Sequence, residues 1–207
     1  MHCVTEEEYK GYKIRVIQEE YPEDPRYMCD CFGRMVCFHK NYWLGDKHDY
    51  RVGDYSGWED MLKGIEEKEG KIAVALPLYL MDHSGLSMST GSGIFRAVDS
   101  VGWDWGQVGW TYVTEEKALE EFKGYEENVR RCLESEVELY DQYLRGEVYG
   151  FKVLDDKGEH VDSCWGFYGD PEKSGLMAEA RGVIDYQVKE EKEKRCWRYR
   201  IKSIWRR

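Results

Sequence analysis

Between Thr114 and Gly146 a single apolar stripe dictates most of what this chain can become. Leu119, Phe122, Val129, Leu133, Val137, Tyr140 and Leu144 recur at spacings of three, four and seven, the mark of a helix with one face turned to a core. Thr114 is a good N-cap, and Glu115 and Glu116 fill the first turn, where the helix dipole favours acids. Gly146 supplies the stop. The spacing predicts one long helix over 114–144, which needs a broad apolar surface to lie on.

Strands on both sides offer that surface. "YKGYKIRVI" (9–17), "RMVCFHKNY" (34–42), "KIAVALPLYLMDH" (71–83) and "QVGWTYV" (107–113) have β-branched, aromatic or alternating content. In 71–83, Pro77 demands a bulge or an edge-facing position. "EVYGFKVLDDKGEHVDSCWGFYG" (147–169) places two apolar runs around a "DDKG" turn and reads as a hairpin. Shorter helices are expected at Trp58–Glu67, ending by Gly70, and across 170–190, with Asp170 and Pro171 as cap and first residue. Residues 1–8 read as an acidic stub and 19–27 as a loop. From Lys194 to Arg207 there are seven basic residues and no acid. Trp197, Tyr199 and Ile201 alternate there with Arg198, Arg200 and Lys202, which predicts a closing strand with a cationic outer face. The fold class is α+β, a mostly antiparallel sheet packed by one long amphipathic helix and shorter ones. At 207 residues one domain is expected (1–207), with a β-rich lobe at 1–113 and a helix–hairpin–helix–strand lobe at 114–207.

Charge narrows the partners. The net charge of −11 argues against direct DNA binding by the body of the protein, because phosphates require a basic footprint. A basic protein, or the nucleic-acid groove of one, is the natural counterpart. The start "MHCVTEEEYK" has no apolar stretch behind a basic one, so no secretory segment is expected. The longest apolar run, 72–81, is interrupted by proline and too short to span a bilayer. Seven cysteines, an odd number, suit reduced thiols in a cytoplasm better than a disulfide framework.

Four segments are dense enough to carry chemistry. "VGWDWGQVGW" (101–110) gathers three tryptophans around Asp104 and Gln107. It reads either as a tryptophan-clamped turn or as an aromatic recognition site. In the clamp version Trp103 and Trp110 are buried, Asp104 ties backbone N–H groups, and Trp105 is exposed. "MDHSGLSMST" (81–90) sets Asp82 and His83 after a strand, where a structural turn competes with acid–base work. "CDCFGRMVCFH" offers Cys29, Cys31, Cys37 and His39 as soft-metal ligands, but the C-x-C spacing is tighter than zinc sites use, and buried thiols are the alternative. The tail offers Arg198 and Arg200 to an acidic or phosphorylated partner. No phosphate loop or dinucleotide fingerprint occurs, and "STGSG" (89–93) lacks the following lysine. No cofactor is expected.

Taken together, "MVCFHKNYWLGDKHDY", "LYLMDHSGLSMST", "WDWGQVGWTYV", "ELYDQYLRGEVYGFKV" and "DSCWGFYG" resemble a family of small acidic bacteriophage and mobile-element proteins of unassigned activity. The resemblance runs from about Gly33 to Gly169. In that family the turn is shorter and has Ser where Trp105 stands, so "GSGIFRAVDSVG" (91–102) looks like a local expansion, and the basic tail lies outside the pattern. The resemblance carries over no catalytic residue. What it implies is a stoichiometric antagonist of host defence, anti-CRISPR or antirestriction in type, that presents acids to a cationic nucleic-acid groove. Two other functions fit the residues: a nucleotide-signal binder using aromatic rings, the 89–93 segment and the basic tail, and a metal-dependent enzyme using Asp82, His83, Asp104 and the cysteine cluster.

Overall fold

Turn chemistry sets the first hairpin. In the computed structural model, which describes residues 2–28, 30–123 and 126–204 with the side chains of Arg195 and 198–204 excepted, Lys10 and Gly11 both have positive φ. That mirror-image turn matches the twist of paired strands. It joins β1 (Cys3–Tyr9) to β2 (Tyr12–Gln18). The residues read as an acidic stub are therefore a strand, and Glu6 on it takes Lys13 at 3.0 Å and Arg15 at 2.7 Å across the hairpin, while Glu7 accepts from Arg181 at 2.8 and 2.9 Å.

The chain divides into two compact units, an outer one from 1–22 and 146–207 and a middle one from 23–145. The lobe boundary expected at 113–114 falls inside the middle unit. In the outer unit β2 pairs antiparallel with β7 (Val148–Leu154), and β7 with β8 (His160–Tyr168), giving the order β1-β2-β7-β8. The "DDKG" hairpin is present, closed by Asp155 accepting from the N–H groups of Lys157 and Glu159. Ile14, Val16, Phe151 and Val153 face Leu176, Met177, Ala180 and Ile184 of a long helix.

The middle unit is a four-stranded antiparallel sheet in the order β3-β6-β4-β5. Its strands are β3 (Arg34–Cys37), β4 (Ile72–Asp82), β5 (Leu86–Ser89) and β6 (Trp105–Thr114). On β4, period two sends Val74, Leu76, Leu78 and Leu80 to one face and Ala75 to the other. Pro77 is tolerated because β5 pairs only from Tyr79 onward, and the ladder to β6 shifts register directly after it, between Leu78 and Tyr79. Short helix α1 (Pro25–Met28) precedes β3, and α2 (Trp58–Glu69) covers one face through Met61 and Ile65. The opposite face receives Val129, Leu133, Val137 and Tyr140. Gly109 is required where β3 crosses β6: a Cβ there would run into the Val36 carbonyl. The protein is α+β, with antiparallel sheets and helices packed on them.

Two helix expectations need correction. The single helix over 114–144 is two, α4 (Glu115–Phe122) and α5 (Glu126–Leu144). Lys123 turns left-handed at φ 54° and its N–H caps Ala118 and Leu119, so the first helix ends there. Leu119, assigned to the apolar stripe, is exposed as a result. The Thr114 cap is as expected, accepting from the Lys117 N–H at 3.4 Å. The tail is not a strand: α6 runs over Leu176–Ile204. Lys, Arg and Glu are strong helix formers, and Lys194 pairs with Glu190 one turn back at 2.7 Å, so the local period of two yields to helix propagation from the packed end. Asp170 closes a turn before α6 rather than capping it, accepting from Glu172 and Lys173.

Candidate functional site

The tryptophan turn is organised by a residue upstream of it. After β5, the short helix α3 (Gly93–Val98) buries Phe95 and leaves Ile94 and Val98 exposed. Asp99 follows, and its carboxylate accepts the backbone N–H groups of Val101, Gly102, Trp103 and Asp104 at 2.6–3.1 Å. Donation from Asp104, then from Gly102, Trp103 and Val101, holds the carboxyl below the usual aspartate range despite some desolvation. Gly102 supplies the positive φ, 79°, that the tight return needs.

This geometry reverses the expected roles of the tryptophans. Trp103 is 85% exposed. Trp105 is the clamp: its indole N–H donates to the Asp99 carbonyl at 2.8 Å, and its ring meets Tyr79 edge-on at 6.1 Å and Phe95 at 6.4 Å. The backbone-tying role expected of Asp104 belongs to Asp99. Asp104 instead accepts from the Asp82 N–H through its carbonyl and pairs with His83 Nδ1 through its carboxylate, each at 2.8 Å. Asp82, His83, Trp103, Asp104 and Trp105 thus come together at one end of the sheet. Val101 and Trp103, with Ile94 and Val98, give this end four exposed apolar side chains within ten residues.

Chemically, the pair has a base and its orienting acid, which is two parts of a three-part relay. No hydroxyl or thiol bonds to His83 among the described residues. What the segment does offer is a pre-ordered apolar contact surface beside an exposed His–Asp pair.

The remaining candidates lie elsewhere. Gln107 folds back on its own strand, donating to the Gly109 carbonyl at 3.2 Å. It borders a cleft of about 620 Å³ shared with Trp58, Pro77, Tyr79 and Trp110. Trp110 is half-buried, its indole N–H donating to the Trp58 carbonyl at 2.9 Å. Cys37 is core, and burial pushes its thiol up to about 12. His39 stacks on Tyr42 at 4.9 Å, and Cys31 points to the Pro25 carbonyl. Among the described residues no cluster of His, Cys, Asp and Glu is arranged to hold a metal ion, and Cys29 lies outside those residues. The side chains of Arg198 and Arg200 also lie outside them, on the helical tail.

Two polar networks escaped sequence reasoning. Arg26 is buried and forks onto Asp46 at 2.7 and 2.9 Å, onto the Gly33 carbonyl at 2.7 Å and onto Glu136 at 3.3 Å. Glu69 collects the hydroxyls of Tyr50 and Tyr112 and the guanidinium of Arg34 at 2.5–2.6 Å. Burial pushes the Glu69 carboxyl up, and those three donors more than reverse it. In both networks the partners are far apart in sequence, so no local pattern announces them. A third feature is Trp43, in "NYWLGD", which is 102% exposed on the wall of a cavity of about 640 Å³.

Comparison with protein-family models, with curated proteins and with solved structures gave no match. Among the described residues no helix is long and apolar enough to cross a membrane.

Proposed function

We propose that the protein is a non-enzymatic inhibitor of a host defence system, encoded by a phage or mobile element and of the anti-CRISPR or antirestriction type. It engages a nuclease, or the nucleic-acid-binding surface of one, in the cytoplasm of the bacterial host. The observation that carries this reading is the distribution of charge. The middle unit holds 24 acidic against 14 basic residues, whereas the outer unit holds 17 against 16. Almost all of the net negative charge therefore sits on the unit that also presents the ordered apolar segment 94–103. Excess acid attracts a cationic groove and repels nucleic acid itself, and a tryptophan carried on a backbone already tied by Asp99 adds contact energy without the cost of ordering the loop.

The test is titration against purified restriction endonucleases and CRISPR effector complexes, read as DNA cleavage. One of them is expected to stop near equimolar inhibitor, with affinity falling about tenfold or more between about 50 and 300 mM salt. Trp103→Ala is expected to weaken that inhibition while the fold stays intact. A panel in which every nuclease cleaves unhindered at low salt sinks the reading, and inhibition indifferent to salt removes the acidic unit from it.

A further inference from the structure

The segment from Phe38 to Val52 borders a cavity of about 640 Å³ in the middle unit, away from the residues of the inhibitor reading. Three features of its wall specify a ligand. The first is bare aromatic surface. Trp43 offers its indole fully to solvent, and His39 and Tyr42, on the wall of the same cavity, stack with their planes 20° apart. His48 sits between Phe38 at 4.7 Å and Tyr50 at 5.9 Å. An exposed indole in such company is apolar area that a flat ring can cover.

The second is a vacant acceptor. His48 Nε2 lies 2.9 Å from the Cys37 carbonyl oxygen. A carbonyl only accepts, so Nε2 carries the hydrogen, and Nδ1 of the neutral ring is left as an acceptor. That nitrogen is buried and has no hydrogen-bond partner. A buried acceptor without a donor is costly, and an N–H group on a ligand removes the cost.

The third is local charge. Lys40 and Lys47 line the same cavity and are exposed, and neither pairs with a carboxylate among the described residues. Lys47 lies over the Tyr27 ring at 5.7 Å. In a unit with ten more acids than bases, two unpaired lysines at one aromatic cavity are a small anion site rather than a track for a polyanion.

We propose that this cavity binds a nucleoside monophosphate whose base carries an amino or ring N–H group. The rings take the base, His48 Nδ1 accepts from its N–H, and Lys40 and Lys47 answer the phosphate. Calorimetric titration of the full chain with the monophosphates of adenosine, guanosine and cytidine tests it, with the parent nucleosides, ribose phosphate and a single-stranded oligonucleotide as comparisons.

At least one monophosphate is expected to bind saturably and more tightly than its nucleoside. Trp43→Ala weakens it about tenfold or more, in the range of a lost base–aromatic stack. Lys40→Ala combined with Lys47→Ala erases the advantage over the nucleoside. His48→Phe, which keeps a ring between Phe38 and Tyr50, lowers affinity while the protein still unfolds cooperatively. Trp43, Lys40 and Lys47 are exposed, so their variants fold, and Trp103→Ala leaves nucleotide affinity unchanged, which separates this proposal from the inhibitor reading. Four results overturn it: no binding by any monophosphate, equal binding of ribose phosphate, tighter binding of the oligonucleotide, or affinity untouched by Trp43→Ala.

Discussion

Asp99 takes four backbone N–H groups into one carboxylate, and the behaviour of the neighbouring tryptophans follows from that. Trp105→Ala removes an indole hydrogen bond and half-buried ring contacts, and it is expected to cost about 2 kcal/mol. Trp103→Ala strips a ring already in water and is expected to change stability by less than about 0.5 kcal/mol. Urea denaturation of the two variants decides the matter, and equal midpoints would mean that the Asp99 turn does not hold Trp105 in place. The turn also carries a pH signature. Folding lowers the Asp99 carboxyl below its ordinary value of 3.8, so its contribution is fully present above that value and disappears as pH falls through the lowered one. Amide exchange at Val101–Asp104 is expected to accelerate, relative to the sheet, only in that acidic window; acceleration already at neutral pH would contradict the assignment. The sequence showed that these ten residues form a special turn. It did not show which acid ties them, because Asp104 and Asp99 both lie within reach along the chain. The sequence reading placed the Trp105 ring outward, whereas its indole N–H donates to the Asp99 carbonyl and its ring packs by Tyr79 and Phe95.

Helix α2 and strand β4 were legible because each carries its own signal: Gly70 beyond the helix, and for the strand a short apolar run continuous but for Pro77. The break between α4 and α5 was legible only in part. The stripe continues across it, so periodicity predicted one helix, while "KGY" at 123–125 held the weaker signal of a stop. The tail misled for the opposite reason. A short alternation of aromatic and basic residues looked like a strand, but these residues follow a helix already anchored by Leu176, Met177, Ala180 and Ile184, and propagation adds a bond per residue without a new nucleus. At the C-terminus of α2, Glu69 fastens the helix to β6 through Tyr112 and to the preceding loop through Tyr50. Glu69→Gln keeps the shape but weakens three charge-assisted bonds, with an expected cost of about 2 kcal/mol. Thermal and urea unfolding measure it, and a neutral outcome would mean that the tyrosine hydroxyls find water equally well.

At the scale of the whole chain, the order of assembly follows from sequence separation. The middle sheet pairs Leu78 with Gly109, 31 residues apart, whereas the outer sheet pairs Val16 with Phe151, 135 residues apart. Closing the longer loop costs about 1 kcal/mol more in chain entropy, and folding the middle unit first shortens the effective loop. Pulse-labelled hydrogen exchange during refolding is expected to protect the β4 and β6 amides before those at the β2–β7 seam; the reverse order would show that the outer sheet nucleates folding. No local pattern could reveal this seam, because nothing near Tyr12 or Val148 names its partner across the intervening unit.

The same seam has a consequence for the chain as it leaves the ribosome. Gln18, the last residue of β2, is made about 130 residues before Val148 opens β7, a wait of about 6–25 s at ordinary rates of synthesis. Throughout that interval the β2 side of the hairpin, later covered by β7, is an additional edge of unmet N–H and C=O groups, the kind of edge that recruits strands from other chains. Lys13 and Arg15 on β2, held by Glu6 on β1, line the face of the hairpin with charge, and charged residues on a strand discourage such pairing. The ion pairs contribute little to the finished fold, being largely exposed; their greater service is to the newborn chain, which must keep a half-built sheet from sticking until its other half is translated.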